Sequence, residues 1–165
     1  MKTTGLKLIG KGAFTRCYRL DESTVLLKSR DPIKECMAHG MFPKSPLFPI
    51  VECGDECGEY RMKYYPRGGS LKNTLDPDQW EIYKTLRALF DSIGYVKNPH
   101  DRYSKLYTLF QELPDNIRDD MTYALDAVAN YGSDIGFEIS PRNVATDNGK
   151  LVLLDCFFLV SELKK

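Results

Sequence analysis

The chain carries one lysine, three carboxylates and one asparagine at spacings that suit the handling of a polyphosphate. Lys28 closes the apolar run Val25-Leu26-Leu27, so its stem is buried and its ammonium needs an anion. Glu35 follows a short way downstream and can supply that anion. Toward the end of the chain stand Glu138-Ile139-Ser140-Pro141-Arg142-Asn143 and then Asp155-Cys156-Phe157. The amide oxygen of Asn143 and the carboxylate of Asp155 are hard donors. They suit a Mg²⁺ ion that keeps several waters and binds mainly through phosphates. Near the start, Gly10-Lys11-Gly12-Ala13-Phe14 places two glycines between strands. Backbone there can approach a phosphate with no side chain in the way, and its amides can donate to phosphate oxygens. The chemistry implied by the set is phosphoryl transfer, which rests on positioning and charge neutralisation. Singly, each feature has a plainer reading: two glycines in a hairpin turn, a lysine snorkelling off a strand edge, Glu35 on a solvated helix face, a carboxylate capping a turn.

The elements that must hold these residues change character near Pro66. Before it, Leu6 to Ile9, Ala13 to Leu20 and Thr24 to Lys28 read as strands, punctuated by Gly10-Lys11-Gly12 and Asp21-Glu22-Ser23. Asp31-Pro32 starts a short helix from Ile33 to about Met41, with Asp31 as cap. Phe48 to Cys53 and Glu59 to Tyr65 read as two more strands. After Pro66, Asp76-Pro77-Asp78 opens a helix whose apolar face runs from Trp80 to Ile93, with Gly94 ending it. A second helix is expected over Tyr103 to Phe110 and a third from Pro114 to near Gly132. Trp80 and the aromatic residues of these helices read as core rather than as a ligand platform. The chain closes with a β-ribbon, Val144 to Thr146 and Leu151 to Leu154, turned at Asp147-Asn148-Gly149, where Asn-Gly is a strong hairpin signal. No internal repeat and no low-complexity segment appears.

Bulk composition narrows the classes. With Lys+Arg 23 against Asp+Glu 23 there is no net charge, which argues against a generic nucleic-acid or anionic-membrane binder. No stretch approaches the ~20 apolar residues of a membrane span. Residues Met1 to Lys7 lack a secretory signal's apolar core, and the expected location is cytoplasmic. The five cysteines are odd in number and scattered, as reduced thiols would be. Cys53-Gly54-Asp55-Glu56-Cys57 offers half a zinc site, yet no second cysteine pair follows and a hairpin turn is the preferred reading.

In order and type these elements resemble the protein-kinase-like superfamily, and in layout they are similar to compact bacterial kinase-like proteins and to early kinases of T7-like phages. Arg67-Gly68-Gly69-Ser70-Leu71 adds to the motifs already named. The resemblance implies an α+β, minimal two-lobed fold. Residues 1–65 would form a lobe of five antiparallel strands and one helix, and residues 66–165 a truncated, mainly helical lobe with a β-ribbon. It implies ATP and Mg²⁺ as cofactors, held by Gly10, Gly12, Lys28, Glu35, Tyr65, Asn143 and Asp155 around a shared crevice. Tyr64 to Gly69 would hold adenine through backbone hydrogen bonds, and Phe48-Pro49-Ile50 with Met62 would line it. Lys28 and Glu138 would be catalytic, Glu138 standing where a kinase catalytic loop carries the Asp that accepts the substrate's hydroxyl proton.

The departures bear on activity. Glu138 is one methylene longer than that Asp, and a displacement of ~1 Å can cost on the order of 10²-fold in rate. Ser140 replaces a phosphate-contacting Lys, and Phe157 stands in place of a glycine. Ten residues follow Asp155 here, and set against the resemblance neither an activation segment nor a peptide platform is expected. Two functions therefore stand open. One is a kinase-like protein that phosphorylates a protein hydroxyl, of serine/threonine type. The other is a pseudokinase kept as a protein-binding module, for example a phage-type inhibitor of a host enzyme. An α+β domain whose motifs coincide is the plain third reading. The expected partners are a nucleotide and an unidentified protein, with neither nucleic acid nor membrane.

Overall fold

The computed structural model describes residues 2–66 and 68–164 of the chain. The fold is α+β and divides into two compact units, Met1–Met41 with Pro49–Tyr64, and Phe42–Phe48 with Tyr65–Lys165.

The first unit is a five-stranded sheet with one helix. Its strands are β1 (Lys7–Lys11), β2 (Thr15–Arg19), β3 (Thr24–Ser29), β4 (Val51–Cys53) and β5 (Glu59–Lys63), in spatial order β1-β2-β3-β5-β4. Every neighbouring pair is antiparallel, as expected from the sequence. β3 is central, and Val25, Leu26 and Leu27 are all buried there, so its apolar run is continuous rather than alternating. Helix α1 (Pro32–Ala38) starts as anticipated: Asp31 Oδ1 accepts from the Ile33 amide at 2.9 Å, and Pro32 takes the first helical position. It lies against β4 and buries Ile33, Cys36 and Met37, an i, i+3, i+4 face.

Strand ends differ from the sequence expectation by a residue or two, β1 running on through Gly10 and Lys11 and β2 starting only at Thr15, and two larger differences have a clear cause. α1 stops at Ala38 rather than near Met41, because Gly40 takes a φ of +74° and breaks the helical run. The strand expected from Phe48 begins only at Val51; Pro49 cannot donate to a ladder, and Phe48 instead packs edge-on against Phe42 with ring centroids 5.1 Å apart.

The second unit holds α2 (Leu71–Thr74), α3 (Pro77–Ser92), α4 (Arg102–Phe110) and α5 (Asp115–Ala129), then β6 (Ile135–Phe137), β7 (Val144–Asp147), β8 (Lys150–Leu153) and β9 (Phe157–Leu159). The β7–β8 hairpin turns on Asn148 and Gly149, with φ of 50° and 80°, the paired left-handed residues that an Asn-Gly turn supplies. A second ladder, β6 against β9, was not anticipated from the sequence. The core of this unit centres on Phe110, Phe137 and Phe157, whose ring centroids lie 5.3, 5.5 and 6.2 Å from one another. Ile117, Met121, Ala124, Leu125 and Val128 form the buried stripe of α5. Among the described residues no helix is long and apolar enough to cross a membrane.

Candidate functional site

Three of the expected site residues are brought together inside the second unit, and backbone bonds do it. Phe137 pairs with Phe157 at the end of the β6–β9 ladder, and one more bond continues it: the Glu138 amide donates to the Cys156 carbonyl at 3.0 Å. The intervening loop folds back on itself, the Asn143 amide donating to the Ser140 carbonyl at 3.0 Å. The Asn143 carbonyl then accepts from the amides of both Leu154, at 2.9 Å, and Asp155, at 3.3 Å. Glu138 and Asn143 are thus each fixed to the short segment that carries Asp155. Asp155 is exposed, while Glu138 and Asn143 are half-buried.

The loop is anchored from below. Ile139 is fully buried, and its carbonyl accepts from Arg87 Nη1 of α3 at 2.7 Å. Arg87 is a positioning residue that the sequence did not single out; an arginine on the polar side of an amphipathic helix gives no hint of a carbonyl partner 52 residues away. Ser140 Oγ is buried and has no hydrogen-bond partner among the described residues. Burying a hydroxyl without a partner costs on the order of 1–3 kcal/mol, and such a group inside a candidate site is a marked feature.

In the first unit, Lys28 has a different partner from the one expected. Its Nζ lies 3.4 Å from Glu59 Oε1, and Glu59 is 3% exposed. The reason is register: Lys28 and Glu59 stand directly opposite in the β3–β5 ladder, so their side chains leave the same face of the sheet. Glu35 is exposed on α1. Linear spacing from Lys28 to the helix pointed to Glu35, whereas the cross-strand neighbour takes the charge.

The glycine loop is shorter than the motif. Gly10 and Lys11 belong to β1, and Gly12 closes the hairpin by donating its amide to the Thr15 carbonyl at 2.8 Å. That amide is engaged within the chain. Yet the chain itself does not require glycine at these positions. A Cβ on Gly10 would meet only Cys17 Cβ at 3.7 Å, one on Gly12 only the Thr15 carbonyl oxygen at 4.0 Å, and neither residue has a left-handed φ.

The stretch expected to hold adenine straddles the division between the units: Tyr64 ends the first and Tyr65, half-buried, opens the second. The Arg19 guanidinium lies 3.6 Å over the Tyr64 ring. Arg67 lies outside the described residues; Ser70 caps α2, its Oγ accepting from the Asn73 amide at 3.3 Å. Ile50 is 80% exposed, Met62 is half-buried and Phe48 is buried. Cys53 and Cys57 flank the β4–β5 turn and are exposed. Among the described residues, no three His, Cys, Asp or Glu side chains are grouped to hold a metal.

No family model and no curated protein matches the chain. Solved structures similar to it include aminoglycoside phosphotransferases. They include the ternary complex of APH(2″)-IIa with streptomycin and ATP, at 12% identity and a TM-score of 0.38, over 93% of this chain and 66% of that one. Aminoglycoside phosphotransferase APH(4)-Ia is similar at 14% identity and a TM-score of 0.35, over 94% of this chain and 68% of that one. A thermostable mutant of APH(4)-Ia with ADP and hygromycin B gives 15% and 0.34. The chain thus spans about two thirds of the length of each, and at such identities its function has to be argued from its own residues.

Proposed function

We propose that the chain binds ATP with Mg²⁺ and transfers the γ-phosphoryl group to a hydroxyl, on a protein acceptor. The observation that carries this reading is the pair of hydrogen bonds that the Leu154 and Asp155 amides donate to the Asn143 carbonyl, with the Glu138 amide bonded to the Cys156 carbonyl beside it. The backbones of Glu138, Asn143 and Asp155, which would serve as base and oxygen donors, are thereby tied to one short segment, on a loop anchored by Arg87.

The donor set fits Mg²⁺ that arrives with a polyphosphate. One amide oxygen and one exposed carboxylate are hard ligands, too few to hold the ion alone and enough to complete a shell of waters and phosphate oxygens. When bound, Mg²⁺ neutralises charge on the phosphates. Asn143 and Asp155 would hold it. Glu138 accepts the proton of the attacking hydroxyl, its longer side chain making it a slower base than Asp in that place. Lys28 contributes an ammonium to the phosphates in exchange with Glu59. Glycine at 10 and 12, which neither packing nor backbone conformation demands, supports a close approach by a ligand there. Tyr65 and its neighbours would bind adenine, and Glu35 would act at a distance from Lys28.

Two observations favour the second reading, a nucleotide-binding pseudokinase that acts by binding a protein: the Gly12 amide is already engaged, and Lys28 is already paired. Thermal shift and label transfer separate the two. Mg-ATP at ~100 times its Kd stabilises by roughly 2.7 kcal/mol. For a chain of this size that is a rise in Tm of roughly 5–10 °C. The shift should vanish in Asp155→Asn. Transfer of labelled phosphate should vanish in Glu138→Gln while the shift persists. A shift without transfer in the unmodified protein establishes the pseudokinase reading, and no shift at all overturns nucleotide binding. Asp155→Asn is a cleaner probe than Lys28→Met, because the latter takes an ion-pair partner from the buried Glu59 carboxylate and destabilises the sheet on its own account.

A further inference from the structure

Three cations stand in one row across the first unit's sheet. Lys11 of β1 pairs directly with Arg16 of β2, Arg16 with Lys28 of β3, and Lys28 with Glu59 of β5. Direct antiparallel partners share a face, so Lys11, Arg16, Lys28 and Glu59 line up side by side. Like charges directly opposite one another destabilise a sheet, and here two such contacts follow in succession. Glu59 answers the charge of Lys28. Lys11 and Arg16 are exposed, and neither has a carboxylate partner among the described residues. Nor does the local sequence dilute the charge: the first twenty residues contain Lys2, Lys7, Lys11, Arg16 and Arg19 and no acid. The next polar pair on that face, Arg61 with Asp55 at 3.0 Å, neutralises itself.

We propose that Lys11 and Arg16 extend the anion site of Lys28 into a row that reads the number of phosphate charges, favouring a triphosphate chain over a mono- or diphosphate. This rests on the nucleotide reading above for its ligand, but not for its geometry. The row leaves two positive charges unanswered, at the foot of the glycine hairpin, and the long, mobile Lys11 and Arg16 side chains can converge on the oxygens of a polyphosphate that extends from Lys28. Arg16 supplies a planar, always-charged fork and Lys11 a mobile point charge, both suited to phosphate oxygens.

The test uses the full chain and four ligands, namely ATP, ADP and AMP with Mg²⁺, and inorganic tripolyphosphate, each titrated against the unmodified protein, Lys11→Gln/Arg16→Gln and Lys7→Gln. Lys7 faces Arg19 in a separate cross-strand pair of the same hairpin and serves as the control for loss of a cation outside the row. The double variant should bind ATP and tripolyphosphate about tenfold more weakly, from the screened loss of two charges. It should lose most of the preference for ATP over AMP, while Lys7→Gln stays as the unmodified protein. Relieving the repulsion should also raise the Tm of the unliganded double variant, a gain that a merely structural role for these side chains does not give. If ATP binds the double variant unchanged, the row is overturned and the nucleotide reading stands. If the unmodified protein binds tripolyphosphate but not ATP, and the double variant loses it, the row stands and the nucleotide reading falls. Binding of neither ligand by the unmodified protein overturns both.

Discussion

Gly136→Ala tests the ladder on which the candidate site hangs. Gly136 stands opposite Phe158 in the β6–β9 pair, and the Phe158 ring lies across it. A Cβ placed on Gly136 would be 2.7 Å from Phe158 Cε1 and nearer still to Cε2 and Cζ. Ordinary carbon contact begins near 3.5 Å, so the ring has to retreat by roughly 1 Å or swing away. Phe158 is half-buried, which leaves it an exit toward solvent at the cost of its packing. Overpacking of this kind costs about 1–3 kcal/mol, and surrendering half the burial of a phenylalanine costs about 1 kcal/mol. Against that, Ala is better than Gly in a strand by roughly 0.5–1 kcal/mol. The net expectation is a loss of about 1.5 kcal/mol, a fall in Tm of roughly 3–6 °C.

The assay is thermal unfolding of four proteins, the unmodified chain, Gly136→Ala, Phe158→Ala and the double variant. With the ring gone, the added methyl has space, and Gly136→Ala becomes neutral or mildly stabilising. The cycle should therefore show a coupling of about 2 kcal/mol, far beyond the ~0.5 kcal/mol scatter of independent sites. Equal costs of Gly136→Ala in both backgrounds would refute the ring-over-glycine account. Because Glu138 begins where β6 ends, the same substitution should also slow phosphoryl transfer more than it weakens Mg-ATP binding.

Gly12→Ala should leave the free energy of unfolding within about 0.5 kcal/mol of the unmodified protein while weakening Mg-ATP binding, measured by titration; a stability loss with unchanged affinity would mean that the glycine serves the hairpin alone. Asp31→Ala removes the α1 cap and should cost about 1 kcal/mol in denaturant unfolding. Burial, with Asp31 and Glu35 close by, pushes the Cys36 thiol up to about 11, so in native protein a small disulfide reagent should label Cys53 and Cys57 and spare Cys36. Burial raises the Asp134 carboxyl, but the Ser161 amide at 2.7 Å and other hydrogen bonds outweigh it and hold the group below its usual value. Its contribution is therefore present above the ordinary carboxyl range and is lost as pH falls through the lowered folded value. The Tm gap between the unmodified protein and Asp134→Asn should be full at pH 6–7, on the ~pH 4 scale of a free Asp, and should shrink toward pH 3; a gap that does not change with pH would show that the carboxylate's charge plays no part.

Apolar spacing made most of the fold legible. The continuous run at Val25 to Leu27, the helix starts at Asp31-Pro32 and Asp76-Pro77 and the stripe of α5 each reappear as structure, although only Asp31 of the two acids caps its helix through its side chain. What escaped was short or non-local. β6 has three residues with glycine at its centre, too few for alternation to show, and its partner β9 follows a bend at Leu154 and Asp155. α2 is a single turn. Phe48 was read into a strand because its type suits one, whereas packing against Phe42 decides its place.

The two halves of the candidate site differ in legibility for one physical reason. A two-residue Asn-Gly turn fixes the register of everything beside it. Asp147 faces Lys150, and counting outward brings Val144 to Leu153; the next step brings Asn143 to Leu154, one residue from Asp155. The juxtaposition of Asn143 and Asp155 therefore follows from a dipeptide that anyone can find. The pairing of Lys28 with Glu59 follows from no such signal. A helix and a whole further strand intervene, and the register of β3 on β5 is set by burial of side chains along both strands rather than by a turn between them. Shifting that register by one residue would turn Glu59 to the opposite face and release Lys28. Deleting one residue between Gly54 and Gly58 would alter the β4–β5 turn without moving β5 on β3, so the Lys28–Glu59 pair should survive it, whereas inserting one residue between Asn148 and Gly149 should separate Asn143 from Asp155 and abolish the Mg-ATP shift.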